Sequence, residues 1–348
     1  MPWSNKRRRQ TSEHYTFPVK VVVLGGAGFI GSHLVDVLVE AGHEVLVIDN
    51  LSKGRLENIA HHIGKKGFAF YREDVLEARR LFELAPEAGA VVHLVAHKIP
   101  RYESALKTLT LNTQATVNAL ELARERGARF ILASTSDVYG KSPDQPFREE
   151  GDLLLGPSVS RRWAYAVSKI YDEHLTIAYG DEFGLDYVIL RYFGTYGPRQ
   201  YLDWWGGPQG VFLDAIFRGR EIEIHGDGKQ TRCFTYVVDA ARATARAITA
   251  PEARGQIINI GNPEEISILD LARLIHKLSG VKEELKIRFV PYSSFTKNYE
   301  DPRRRVPDIS KMKALLGYEP EVSLVEGLER TIAWYRKEHL ASFRPRTL

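Results

Sequence analysis

The segment Tyr165-Ala166-Val167-Ser168-Lys169 carries a phenol and an ammonium group four residues apart. Apolar residues recur at helical spacing through Trp163–Glu182, and side chains four residues apart share one face of a helix. A neighbouring cation lowers the pKa of a phenol, and a tyrosinate can act as a base near neutral pH. Because an exposed surface pair has the same spacing, the surrounding elements must decide between these interpretations.

A second reactive cluster, Thr135-Ser136-Asp137, directly follows the apolar run Arg129–Ser134. If that run is a buried parallel strand, these side chains emerge at the carboxyl edge of the sheet, where ligands bind in open α/β folds. Hydroxyl residues also cap helices and stabilise turns, which is the alternative interpretation. We predict that at least Thr135 faces a substrate.

A glycine-rich turn, Gly26-Ala27-Gly28-Phe29-Ile30-Gly31, has the G-x-G-x-x-G pattern of a dinucleotide-binding loop. It follows the apolar run Val19–Leu24 and opens the helical pattern Gly28–Ala41, which is the context that the fingerprint requires. The glycines permit a tight turn, close backbone approach to a pyrophosphate and close packing of helix on strand. The N–H groups at the helix N-terminus then attract the pyrophosphate.

An acidic residue, Asp49, follows the next apolar strand, Glu44–Ile48. A carboxylate there accepts hydrogen bonds from both ribose hydroxyls of NAD and repels the 2′-phosphate of NADP. No arginine follows immediately, although Lys53 and Arg55 are near. The sequence therefore predicts NAD as the cofactor.

Apolar strands alternate with helical patterns along most of the chain, which is typical of βαβ units. Right-handed crossovers then predict an α/β fold with a doubly wound parallel sheet, the Rossmann architecture, and a smaller α/β C-terminal substrate lobe. The predicted strands are Val19–Leu24, Glu44–Ile48, Phe68–Tyr71, Ala90–Leu94, Arg129–Ser134, Asp186–Arg191 and Gln256–Ile260, and the predicted helices are Gly28–Ala41, Thr108–Arg126, Trp163–Glu182, Ile268–Leu278 and Leu324–Lys337.

The length of 348 residues suits one large domain or two closely joined ones. Gly194–Gln209, rich in glycine, proline, tyrosine and tryptophan, is predicted to be a loop that covers a site. We predict a basic disordered tail at 1–18, an NAD-binding Rossmann domain at 19–194 and 233–261, and a substrate-binding lobe at 195–232 and 262–340.

Composition argues against several other classes of protein. No apolar run reaches the ~18 residues of a membrane span. The net charge of +4 comes mainly from the N-terminal tail, so no basic face indicates a nucleic-acid partner. That tail has no apolar core of a secretory signal, and the single cysteine, Cys233, permits no intrachain disulfide, so a cytoplasmic location is expected. No metal site is predicted.

Together these segments resemble the extended short-chain dehydrogenases/reductases, and within them the nucleotide-sugar epimerases, dehydratases and decarboxylases. The resemblance runs from about Val19 to Arg336. It rests on GGAGFIGSH, Asp49, Asp74-Val75, STSDVYG and the Tyr165–Lys169 spacing, with further matches at RYF, YGPR, HGDG, RRVPD and LGYEP.

The resemblance implies a shared first step, in which Tyr165 takes the proton of the sugar 4-hydroxyl while the C4 hydride moves to NAD⁺. It also implies that Lys169 holds the nicotinamide ribose and tunes Tyr165, and that Thr135 binds the same sugar oxygen. Ser136 and Asp137 stand where relatives carry further catalytic groups.

The resemblance further implies a nucleotide-diphosphate sugar as substrate and a homodimer formed by the helices Thr108–Arg126 and Trp163–Glu182. Arginine suits the diphosphate because its planar fork binds phosphate oxygens in pairs. The implied cofactor-binding residues are Gly25, Gly28, Phe29, Ile30, Gly31, Asp49, Asn50, Ser52, Gly54, Asp74, Val75, Leu94, Val95, Ala96, Lys98, Asn112, Tyr165, Lys169 and Tyr192, and the implied substrate-binding residues are Gly194, Gln209, Arg232 and Arg305.

Three reactions of this group share a 4-keto sugar and diverge afterwards. A 4,6-dehydratase usually needs a carboxylate pair, but Ser136-Asp137 supplies one carboxylate. Decarboxylases commonly carry Thr-Ser-Glu, and no arginine in 200–217 is available for a sugar carboxylate. We therefore expect an NDP-sugar 4-epimerase acting on a UDP-hexose or UDP-hexuronate, with a UDP-glucuronate decarboxylase as the alternative. A 4,6-dehydratase and a non-enzymatic NAD-binding regulatory protein are further alternatives.

Overall fold

The computed structural model describes residues 18–98, 104–294 and 301–340. The tail predicted at 1–18 therefore lies outside the described residues, apart from Pro18. Within the described ranges, no helix combines the length and apolarity that crossing a membrane requires.

Strands and helices alternate along the described chain, close to the predicted bounds. The strands are β1 (Lys20–Leu24), β2 (Glu44–Ile48), β3 (Phe68–Tyr71), β4 (Ala90–His93), β5 (Arg129–Thr135), β6 (Tyr187–Tyr192), β7 (Gly194–Tyr196), β8 (Ile222–His225), β9 (Thr231–Tyr236), β10 (Gln256–Ile260), β11 (Glu265–Ser267) and β12 (Ile287–Val290). The helices are α1 (Phe29–Glu40), α2 (Ala78–Leu84), α3 (Ala105–Arg126), α4 (Ala164–Phe183), α5 (Pro208–Phe217), α6 (Val237–Thr249), α7 (Ile268–Ser279), α8 (Ser310–Leu316) and α9 (Leu324–Tyr335).

The central sheet has seven strands, all parallel, in the order β10-β6-β5-β4-β1-β2-β3. The strand order reverses between β1 and β4, which is the topology of a doubly wound Rossmann sheet and confirms the predicted fold class. In this architecture ligands bind outside the carboxyl ends of the strands at the point of reversal. The fold therefore brings the ends of β1, β4 and β5 to one edge.

Hydrophobic cores cover both faces of this sheet. On one face α1, α6 and α8 contribute Leu34, Ala240 and Met312. On the other face α2 and α3 contribute Leu81 and Ala119. Because helices cover both faces, the strands are continuously apolar rather than alternating.

The C-terminal elements build a separate core. Two small sheets, β11-β9-β7 and β12-β8, pack with α5, α7 and α9 around Phe212, Leu271 and Leu328. The predicted boundary between Arg232 and Cys233 falls inside β9. The division of the chain into two domains stays a prediction.

Two segments differ from the expected structure. The segment Gly194–Gln209, predicted as a loop, contains β7, because Gly194–Tyr196 pairs with β9, and includes the start of α5 at Pro208. Residues 309–318, assigned to the substrate lobe, pack on the sheet instead, because Ile309 and Tyr318 are buried in the core formed by α1 and α6.

Candidate functional site

A cleft of about 520 Å³ lies at the carboxyl edge of the sheet, where the C-terminal elements face it. Most of the predicted site residues line this cleft. They are Gly25, Gly28, Phe29, Ile30, Gly31, Leu94, Ala96, Lys98, Thr135, Ser136, Asp137, Tyr165, Tyr192, Gly194, Gln209, Arg232 and Arg305. The predicted residues outside its lining are Asp49, Asn50, Ser52, Gly54, Asp74, Val75, Val95, Asn112 and Lys169.

The glycine-rich turn leaves the N-terminus of α1 bare. α1 begins at Phe29, and no side chain caps its first turn. A Cβ on Gly31 would lie 2.2 Å from the Gly25 carbonyl oxygen, and Gly25 has a φ of +84°, so neither position tolerates a side chain. Such a terminus fits a pyrophosphate, which the backbone N–H groups and the helix dipole attract.

Asp49 directly follows β2, and its side chain bonds the backbone on either side of the turn. Its carboxylate accepts hydrogen bonds from the Ala27 N–H at 3.0 Å and the Leu51 N–H at 2.8 Å. A Cβ on Gly54 would lie 2.7 Å from either oxygen of this carboxylate. Each carboxylate oxygen can accept a second hydrogen bond, so the arrangement retains acceptors for ribose hydroxyls.

The neighbouring polar residues are linked to one another beside Asp49. Asn50 donates to the Asp74 carboxylate at 2.8 Å and accepts from the Ser52 N–H at 2.9 Å. Asn118 of α3 donates to the Val75 carbonyl oxygen at 2.9 Å. These bonds order the edge next to Asp49, where the family resemblance expects the adenosine.

Asn112 does not line the cleft but supports two segments that do. Its amide oxygen accepts from the His97 N–H at 2.7 Å, and its amide nitrogen donates to the Ser168 hydroxyl at 2.9 Å. It thereby joins the segment after β4 to α4. Val95, in the same segment, packs against the glycine-rich turn, since a Cβ on Gly25 would lie 3.2 Å from its side chain.

Tyr165 lines the cleft at the start of α4, where the Thr135 hydroxyl lies near enough to its phenol to lower the pKa of that phenol slightly. Burial raises the pKa of this phenol, and the negative charges of Asp137 and Asp172 raise it further. Lys169 lies below, where its Nζ donates to Asp172 Oδ2 at 2.9 Å. Tyr165 therefore needs a further positive charge nearby to act as a base.

Asp137 is held between two arginines. Arg305 Nη1 lies 2.6 Å and Arg162 Nη2 lies 3.1 Å from Asp137 Oδ1. Burial alone would raise the pKa of Asp137, but the two guanidinium groups outweigh it and hold the pKa well below its usual range. Arg305 also approaches the Ser136 hydroxyl at 3.5 Å. Asp137 is therefore ionised at neutral pH and is not available as an acid.

A second carboxylate completes this charged cluster. Asp301 pairs with Arg232 and lies 3.6 Å from Arg162 Nη2. The cluster thus sets three arginines against two aspartates, and all five side chains are at most 19% exposed. The excess positive charge in a largely desolvated cleft favours an anionic ligand.

Sequence reasoning missed Arg162. The segment 200–217 contains no arginine, but the turn that precedes α4 places Arg162 in the lining of the cleft. The available signal was its spacing, because Arg162 precedes Tyr165 by three residues, which is nearly one helical turn.

The tryptophan pair lies over the cleft. Trp204 stacks on His225 with ring centroids 4.4 Å apart, and the Lys53 ammonium lies 4.0 Å from the centroid of the Trp205 ring. Lys98 approaches the same ring at 6.0 Å. These contacts attach the segment that follows β7 to His225 of β8 on one side and to Lys53 and Lys98 on the other.

The remaining predicted residues differ in what they offer a ligand. Gln209 is buried in the lining, and its amide nitrogen has no hydrogen-bond partner among the described residues. Tyr192 uses its hydroxyl in a 2.6 Å hydrogen bond with Thr244. Gly194 leaves no room for a side chain, since a Cβ would lie 2.8 Å from the Phe234 ring.

Residues 21–261 match the NAD dependent epimerase/dehydratase family. The chain belongs to this family. The match confirms the predicted family and its cofactor, NAD, and identifies the protein as an enzyme of the epimerase/dehydratase type.

Members of the family with related sequences catalyse more than one reaction. The chain is 37% identical to UDP-N-acetyl-alpha-D-glucosaminuronate decarboxylase of Bacillus cytotoxicus, over 91% of this chain and 98% of that protein. It is 38% identical to UDP-glucuronic acid decarboxylase 1 of Xenopus tropicalis, over 92% of this chain and 72% of that protein.

Among solved structures, UDP-glucuronic acid 4-epimerase from Bacillus cereus, in complex with UDP-glucuronic acid and NAD, matches with a TM-score of 0.80. It is 33% identical, over 91% of this chain and 99% of that chain. The expected 4-epimerase is not confirmed by these comparisons, and the decarboxylase alternative fits them better.

Proposed function

We propose that this family member is a nucleotide-uronate decarboxylase, which converts UDP-glucuronate to a UDP-pentose and CO₂. The observation that carries the proposal is the contact of Asp137 with both Arg162 and Arg305 in the cleft. The arginines of the cluster outnumber its carboxylates, so the excess positive charge suits a substrate carboxylate better than a neutral hydroxymethyl group. The identity to two uronate decarboxylases supports the same reaction.

The cofactor fits the bare terminus of α1 and the carboxylate of Asp49. We assign the pyrophosphate to the turn from Gly25 to Gly31 and the adenosine ribose to Asp49. Bound NAD supplies a hydride acceptor at the sugar C4 and later returns the hydride there. Lys169 is assigned to the nicotinamide ribose.

Tyr165 is proposed to take the proton of the sugar 4-hydroxyl. Thr135 lines the cleft beside the phenol and is assigned to the same sugar oxygen. The C4 ketone that results is β to the C6 carboxylate. The C5–C6 bond can then break, because its electron pair is delocalised onto the C4 oxygen as CO₂ leaves.

The charges around Asp137 favour this bond cleavage. Arg162 and Arg305 bind the substrate carboxylate, while the Asp137 carboxylate beside it repels it. That repulsion is relieved when the C6 carboxylate departs as neutral CO₂, so the Asp137 charge raises the ground-state energy more than that of the transition state, whereas the two arginines hold the carboxylate in place. A solvent-derived proton then replaces CO₂ at C5.

Substrate specificity is assigned to the rest of the lining. Arg232 is assigned to the diphosphate, and the unpaired amide of Gln209 to a polar group of the nucleotide sugar. We assign Arg305 to the uronate carboxylate rather than to the diphosphate, because it contacts Asp137 and Ser136.

A homodimer is proposed from the apolar surface of α3 and α4. Leu106 of α3 is 71% exposed, and Val167 and Tyr171 of α4 are 45% and 52% exposed. Large apolar side chains grouped on paired helices favour burial against a second copy.

The test is ¹H NMR of the purified protein with NAD⁺ and a panel of UDP-, GDP-, dTDP- and CDP-sugars that includes UDP-glucuronate. A pentose nucleotide formed from UDP-glucuronate supports the proposal. A C4 epimer that keeps its carboxylate would establish the 4-epimerase instead, which is the second candidate because the Bacillus cereus neighbour is named for that reaction.

A further inference from the structure

A buried ion pair lies on the same face of α4 as the candidate base. Lys169 Nζ lies 2.9 Å from Asp172 Oδ2, and their side chains are 1% and 0% exposed. Spacings of four and three residues align Tyr165, Lys169 and Asp172 along one side of the helix. The cation expected to activate Tyr165 is therefore already paired with an anion on its own helix.

The other groups that face the Lys169–Asp172 pair add no uncompensated charge to it. From β4, His93 has its pKa lowered to about 3 by burial and by the Lys169 charge, so it is neutral. From α3, the Thr116 hydroxyl lies 3.3 Å from His93 Nε2 and near enough to Asp172 to lower the pKa of that carboxyl. Glu173, next on α4, is paired with Arg191 at 2.7 Å.

A further carboxylate, Asp137, faces Tyr165 from the segment after β5 and is paired with its two arginines. Asp172 is thus the carboxylate that neutralises Lys169 in the described part of the site. A buried carboxylate that makes no contact with the cleft needs a structural or an electrostatic reason, because its desolvation is costly.

We propose that Asp172 is a positioning residue, whose carboxylate fixes the Lys169 ammonium and cancels its charge beneath Tyr165. The inference rests on the proposed role of Tyr165 as the base. Its consequence is that Lys169 alone does not deprotonate Tyr165. The phenol keeps its proton until the positive charge of the oxidised cofactor is added.

Asp172→Asn tests this assignment, because asparagine keeps the shape and removes the charge. Lys169 then acts on Tyr165 uncompensated, and the pKa of the phenol falls. We expect the acidic limb of kcat/KM to move down by about one pH unit. The ¹³Cζ resonance of Tyr165 in NAD⁺-loaded protein, identified by its loss in Tyr165→Phe, should titrate lower by the same amount.

Asp181→Asn is the matched control, since Asp181 is an exposed carboxylate on the same helix. It should leave both titrations unchanged. Asp172→Ser serves as a second variant if asparagine prevents folding. Folded variants at position 172 that titrate as the wild type would overturn the inference. Inactivity of the wild type toward every nucleotide sugar would instead overturn the proposed function, while the NMR titration would still report on Asp172.

Discussion

Arg162 donates a 3.1 Å hydrogen bond to Asp137 across 25 residues of sequence. The contact joins the turn that leads into α4 with the segment that follows β5. It brings a guanidinium group to the buried carboxylate on which the proposed decarboxylation depends.

Replacing Arg162 by methionine should reduce kcat/KM for UDP-glucuronate on the order of 100-fold, because a buried charge partner is lost. Arg161→Met is the matched control, since the side chain of Arg161 is exposed one position earlier. Initial rates of CO₂ release measure both. Equal rates for the two variants would show that Arg162 has no role in the reaction.

Asp137→Glu should retain decarboxylation within about tenfold, because the longer acid keeps the charge between Arg162 and Arg305. Asp137→Asn should lose at least about 100-fold in kcat while NAD binding is unchanged, because the repulsion that assists CO₂ loss is gone. Single-turnover CO₂ release and NAD⁺ titration separate the two effects. An asparagine variant as fast as the wild type would contradict this account of Asp137.

Stability should depend on the ionisation of Asp137. Burial would raise its pKa, but Arg305 and Arg162 hold it below its ordinary value of 3.8. The charge therefore stabilises the folded protein above that value, and the contribution is lost as the pH falls through the lower folded pKa.

Thermal unfolding between pH 7 and about pH 2 should consequently reveal a gap in Tm between wild type and Asp137→Asn that narrows once the pH falls below 3.8. Asp144→Asn, at an exposed site, provides the control. A gap that is constant over the whole range would mean that the Asp137 charge contributes nothing to folding.

The dimer is expected to depend on the apolar face of α3 and α4. Leu106→Glu and Tyr171→Glu should each yield a monomer in size-exclusion chromatography with light scattering, because a charge at a packed interface lacks a partner. Phe289→Glu, at an exposed site on β12, should leave the dimer intact. A wild-type protein that is monomeric at micromolar concentration would refute the interface.

Much of the fold could be predicted because buried strands and glycine turns are local signals. Gln256–Ile260 was predicted with its observed bounds, and the Gly26–Gly31 turn opens α1 as expected. The observed end of α4 differs from the predicted end by a single residue.

The rest of the site depends on contacts between distant segments. Arg305 contacts Ser136, which lies 169 residues earlier in the chain, and no spacing in the sequence predicts that contact. Asp172 was overlooked because an acidic residue on a helix is ordinarily solvated, and its burial against Lys169 emerges only once α3 and β4 cover it. Residues 309–318 pack in the core beside the sheet, and an amphipathic segment does not reveal in its sequence which core it joins.

The central claim is tested most directly with UDP-[6-¹³C]glucuronate. Wild-type protein with NAD⁺ should release ¹³CO₂ in equal amount to the UDP-pentose formed, and Tyr165→Phe should release none above background. Turnover of UDP-glucuronate in which the label stays in the sugar, as a 4-epimer, would contradict the decarboxylase.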